Sequence, residues 1–100
     1  MNKRDSIQAA KRALEARTIL HVRAASGDSY SAGPYTAAIA RGVPFVAYGY
    51  GRSRFVVAEH RGSAYDVARF LVEQAGRGAV TKAVRDAEAR KLNPSARHSR

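Results

Sequence analysis

The chain is 100 residues long, carries 18 Lys and Arg against 8 Asp and Glu for a formal net charge of +10, and has no cysteine. That length supports one domain with one modest core, and the missing cysteines exclude a disulfide framework, a zinc knuckle and a thiol nucleophile. The charge favours anionic partners: nucleic acid, a ribonucleoprotein complex or an acidic protein face. Arginine supplies 14 of the 18 cations and alanine 20 residues, a bias that a GC-rich coding sequence also produces without removing the charge. The opening MNKRDSIQAAKRALEAR lacks the apolar core of a signal peptide, and no stretch approaches the ~20 apolar residues of a membrane span. A cytoplasmic protein without a membrane partner is expected.

In chain order, Asp5 with Gln8 three residues later predicts a helix from about Ser6 to Arg17, with Ile7, Ala10 and Leu14 on its apolar stripe. Leu20, Val22 and Ala24 alternate with His21 and Arg23, the period of a half-buried strand. Ser26 to Gly33 has loop composition. Residues 34–42 carry both a strand alternation (Tyr35, Ala37, Ile39) and the marks of a short capped helix. The strand is preferred, with Arg41-Gly42 a tight turn into the next strand.

The stretch from Val43 to Gly76 holds most of the large apolar residues. It reads as a strand, a five-residue connection Gly49-Tyr50-Gly51-Arg52-Ser53, a second strand over Phe55 to Ala58, and then a helix. Ser63 three residues before Asp66 predicts a capping box, Val67, Phe70 and Leu71 an apolar stripe, and Gly76 the stop. Phe45, Val57, Val67, Phe70 and Leu71 with Leu20 and Val22 are the expected core. Arg77-Gly78 reads as a hinge. Residues 79–92 form a further helix whose stripe of Val80, Val84 and Ala87 is thin enough to predict a peripheral position, or completion by a partner such as a second copy. Residues 93–100 read as a disordered basic tail. The expected fold is α+β, in the order α-β-β-β-α-α, with a small antiparallel sheet of three to four strands and helices on one face. One domain spans residues 1–92.

No catalytic or cofactor signature is present. The histidines, His21, His60 and His98, lack companions at metal-ligand spacing, since Glu59 and His60 point to opposite faces of a strand. Asp66 is accounted for by its cap and Glu73 by its basic neighbours, so no general-acid pair is indicated. Gly49-Tyr50-Gly51-Arg52 sits in a turn with no Lys-Ser/Thr after it, unlike a phosphate loop. No metal, cofactor or enzymatic activity is therefore expected. What remains is a patch of aromatic and basic residues around the hairpin: Tyr48, Tyr50, Arg52, Arg54 and Arg61, with Ser63 at a helix start. Guanidinium groups and helix-start N–H groups suit phosphates, and tyrosine rings suit bases.

The order helix, strands, helix, with a basic last hairpin and Gly62-Ser63 opening the helix after it, resembles the double-stranded RNA-binding domain in topology. Where that family places a run of lysines, this chain has Ser63-Ala64-Tyr65-Asp66-Val67-Ala68-Arg69. The Ala/Arg-rich, single-domain composition, with Tyr35-Thr36-Ala37 leading toward an Ala-rich helix, also resembles small accessory proteins of phages and mobile elements. That likeness implies a binding role in host takeover or in blocking a defence system, including inhibitors of CRISPR complexes. Two functions follow: a non-enzymatic binder of nucleic acid or a nucleoprotein complex, and an interaction module that inhibits a host complex through an acidic protein surface.

Overall fold

The computed structural model describes residues 2–23, 35–48 and 58–92. The fold is α+β: helix α1 (Lys3–Glu15), strands β1 (Leu20–Val22), β2 (Tyr35–Ala40), β3 (Val43–Tyr48) and β4 (Ala58–Arg61), then helices α2 (Ala64–Ala75) and α3 (Arg77–Leu92). The strands pair in chain order as an antiparallel sheet. The expected loop over Ser26 to Gly33, the hairpin connection, Val57 and the tail lie outside the described residues.

Tyr35–Ala40 forms the preferred strand, and Pro34 lies outside the described residues. Ala40 pairs with Val43 across Arg41 (φ 53°) and Gly42 (φ 81°), both left-handed, the geometry of a type I′ turn that matches the twist of the strands it joins. The second hairpin differs in register. A five-residue connection would set Tyr48 opposite Arg54, whereas it lies opposite Ala58; the described part of the second strand is Ala58–Arg61, and Phe55 to Val57 of the expected strand lie outside the described residues. The shift is an even number of residues. Side chains alternate with a period of two, so the pattern alone does not distinguish the two registers; the tie is broken where His60 meets Phe70 of α2.

Pairing fixes the faces of the sheet. Leu20, Ala37, Val46 and His60 form one row, and Val22, Tyr35 and Tyr48 the next, all on the side where the helices pack. Leu20, Val22, Val67 and Leu71 are buried as expected, and Phe70 packs at the edge of the core. Phe45 is a correction: it pairs with Ala38 and Arg61 on the opposite face, one residue out of phase with the fully buried Val46.

The last helix is the larger correction. It starts at Arg77 directly after Gly76, with no hinge, and buries Val80, Ala83, Val84 and Ala87 in the same core as α1, α2 and β1. Its alanines account for this. Small side chains bring a helix close to its neighbours, so a stripe that looks thin by residue size is filled from within the chain. At the α1 and α3 interface the fully buried Ser6 hydroxyl meets the Thr81 hydroxyl at 3.0 Å, giving a buried polar group its partner. The peripheral position expected for residues 79–92 does not hold, and the thin stripe no longer calls for a second copy to cover it.

Candidate anion-binding surface

Charged side chains gather at two ends of the helical layer. At the first, β4 runs into α2. Gly62 N–H donates to the Pro44 carbonyl at 3.3 Å, Asp66 N–H donates to Ser63 Oγ at 3.0 Å, and Ser63 N–H donates to the Asp66 carboxylate at 3.2 Å. This is the expected capping box, and it requires a glycine before it: a Cβ on Gly62 would stand 2.9 Å from the Asp66 Cβ. The bonds from the Ser63 backbone and then its side chain hold the Asp66 carboxyl below the usual range. The start of α2 therefore already carries an internal anion where a phosphate was expected.

The bases near this end are likewise engaged. Arg61 pairs with Glu59 at 3.2 Å, and Glu73 accepts from Arg69 Nε at 2.9 Å and faces Lys3 Nζ at 3.5 Å. The hydrogen bond from Arg69 is the main cause that lowers the Glu73 carboxyl, and the same bond raises Arg69. Tyr48 is half-buried, its ring 5.5 Å from both Tyr35 and Phe70, while His60 stacks on the other side of the cluster, 4.5 Å from Phe70 at an interplanar angle of 8°. Burial, and then the neighbouring Tyr48 phenol, push the Tyr35 hydroxyl up. Of the predicted site residues, Arg61 and Ser63 lie at this junction, whereas Tyr48 stands three positions along the β3–β4 ladder and on the opposite face of the sheet from Arg61; each has a partner inside the chain. Tyr50, Arg52 and Arg54 lie outside the described residues.

The second end is where α1 and α3 finish. The α1 stop has the hydrogen bonds of a Schellman motif: Arg17 N–H donates to the Leu14 carbonyl at 2.9 Å and Thr18 N–H to the Ala13 carbonyl at 3.0 Å. Arg17 occupies the left-handed position of that motif at φ 65°. Glycine is the usual residue there, and an L side chain costs roughly 1–2 kcal/mol. Because α3 runs beside α1, this turn meets the last turn of α3. Two adjoining concavities result, sharing Thr18 and Lys91. One is walled by Arg12 and Glu88, the other by Arg17, Ile19, His21 and Arg90.

Arg12, Arg17, Arg90 and Lys91 are exposed and make no ion pair among the described residues. Among the described residues Glu88 is the one acid lining either concavity. The negative ends of two helix dipoles help to seat these cations, a contribution of a few tenths to 1 kcal/mol each, but they leave the outward charge uncompensated. Sequence reading does not bring this cluster together because its members lie at both ends of the chain; its local signals are the basic side of the predicted first helix, with Arg12 and Arg17, and the pair of bases closing α3.

The chain matches none of the known protein families, curated proteins or solved structures with which it was compared. Among the described residues no group of three His, Cys, Asp or Glu converges as a metal site, and no helix is long and apolar enough to cross a membrane.

Proposed function

We propose that the protein is a non-enzymatic binder of nucleic acid, free or within a nucleoprotein complex, and that the joint end of α1 and α3 is its phosphate-contacting surface. The observation that carries this reading is the cluster of Arg12, Arg17, Arg90 and Lys91 around adjoining concavities; none of these four makes an ion pair among the described residues. Arginine forks suit phosphate oxygens, and several uncompensated cations in one place draw a polyanion from solution. Arg17 strengthens the case, since it holds a backbone position that glycine would hold with less strain. A role as an accessory factor of a phage or mobile element, acting on a nucleoprotein defence complex, is compatible with this surface.

The test is a salt titration of binding to a fluorescent oligonucleotide. An Arg17→Ala/Arg90→Ala/Lys91→Ala variant should lower the slope of log K against log salt by roughly two to three units, because each phosphate contact contributes about 0.7–0.9. Arg61→Ala should leave it unchanged. If the triple variant is folded and keeps the full slope, the reading fails. If no oligonucleotide binds while an acidic protein does, the cluster serves protein recognition instead.

A further inference from the structure

The helices cover one face of the sheet, and among the described residues no element covers the other. That face carries His21 on β1, Thr36 and Ala38 on β2, Val43, Phe45 and Ala47 on β3, with Glu59 and Arg61 on β4. Two large apolar side chains mark its openness: Ile19, just before β1, is 51% exposed and Val43 is 43% exposed. Phe45 is half-buried on this face among small residues, with Ala38 directly across from it and Ala47 two residues along the same strand. The rim is basic. Arg23 and Arg41 are exposed around it, and Glu59, the one acid on the described strands, is neutralised by Arg61. His21 belongs both to this face and to the wall of the concavity with Arg17, Arg90 and Lys91.

We infer that this face takes the bases of a single-stranded nucleic acid whose phosphates run along Arg17, Arg90 and Lys91, an inference that rests on the phosphate-contacting reading above. Charge selects the occupant: an apolar floor edged by Arg23 and Arg41, which make no ion pair among the described residues, and continuous with a cationic cluster, suits a ligand that is anionic along its backbone and flat at its side groups. A duplex does not fit this description, because its base faces are stacked on one another and only unpaired bases can be splayed onto a ring. The spacing is suitable. Strands lie ~4.8 Å apart, which sets Phe45 on β3 roughly 10 Å across the sheet from β1, whose His21 lines the concavity with Arg17, Arg90 and Lys91.

The experiment measures fluorescence anisotropy with three labelled probes of equal length: oligo-dT, oligo-rU and a mixed-sequence duplex. Phe45→Ala and Phe45→Leu are used, the second keeping apolar bulk while removing the ring, and far-UV circular dichroism checks their fold. Single strands should bind more tightly than the duplex. Each Phe45 variant should weaken single-strand binding by about 5- to 100-fold without changing its salt slope, and leave duplex binding unchanged, as loss of one stacking contact predicts.

Equal or tighter duplex binding overturns the inference, and so does unaltered single-strand binding by folded Phe45→Leu. If the Arg17/Arg90/Lys91 variant loses salt slope while Phe45→Leu loses nothing, the phosphate surface stands and the base platform falls. If no probe binds, both fall. Should wild type run as a dimer by light scattering and Phe45→Leu as a monomer, with single-strand affinity unaltered, the face belongs to a second copy.

Discussion

The two charged ends of the molecule use the same residue types to opposite effect. Where β4 meets α2, each acid has a donor: Glu59 has Arg61, Asp66 has Ser63, and Glu73 has both Arg69 and Lys3. Charge there serves the fold locally, closing a helix start and tying α1 to α2. Where α1 and α3 end together, Arg12, Arg17, Arg90 and Lys91 face outward and, among the described residues, Glu88 is their only acidic neighbour in the concavities. A formal net charge of +10 thus says little about where an anion binds. What matters is which cations remain after the internal pairs are made, and surface pairs of this kind contribute at most about 1 kcal/mol each to stability.

The comparison breaks most completely if α3 is removed, since α3 supplies half of the basic end and part of the core. Truncation after Gly76 strips Val80, Ala83, Val84 and Ala87 from the buried cluster and leaves Ser6 without Thr81. Losing that many buried side chains exceeds the few kcal/mol that hold a domain of this size, so the truncated chain should lose cooperative thermal unfolding by circular dichroism. A sharp melt within a few degrees of the full chain would mean that α3 is an appendage and that the basic end is not part of the folded unit.

A smaller effect sharpens the account of the first end. The Asp66 carboxyl titrates lower in the folded state than in the unfolded chain, so it contributes stability above its unfolded pKa that is lost as pH falls through the folded value. Glu73, held low by Arg69, behaves in the same sense. In Asp66→Asn the contribution of that carboxylate is absent at every pH. Wild type should therefore be the more stable protein at about pH 7, and the gap should narrow toward about pH 3 in chemical denaturation. A constant gap would mean that the box works through its hydrogen-bond geometry and not through the carboxylate charge.

Much of the fold was legible in local signals. The Ser63 to Asp66 spacing, the Gly76 stop and the Arg41-Gly42 turn each place a known backbone geometry at a named residue, and each appears as read. One misreading is local: Asn2 rather than Asp5 caps α1, accepting from Asp5 N–H at 2.8 Å, so the helix begins a turn earlier than its apolar stripe. The others turn on how elements pair and pack. Phe45 was assigned to the core by size, although the phase of its strand turns it outward. The stripe of α3 reads as thin on Val80, Val84 and Ala87, although Ala83 is buried beside them and small size is what lets the helix approach its neighbours. The basic end was invisible for the same reason: Arg12 and Lys91 become neighbours only when α3 lies along α1.

Arg17 gives the most direct test that the α1 and α3 end is a binding surface, because its backbone and its charge pull in opposite directions. Glycine at φ 65° relieves the left-handed strain, so Arg17→Gly should raise the melting temperature, with a gain of roughly 0.5–1 kcal/mol at most. If the guanidinium contacts phosphate, the same variant should bind oligonucleotide more weakly at ~0.1 M salt and show a salt slope lower by about one unit. A protein that is stabilised and also binds less well is the predicted result. A stabilised variant that binds with unaltered affinity and slope would contradict the account, since the strained arginine would then serve neither the fold nor the ligand.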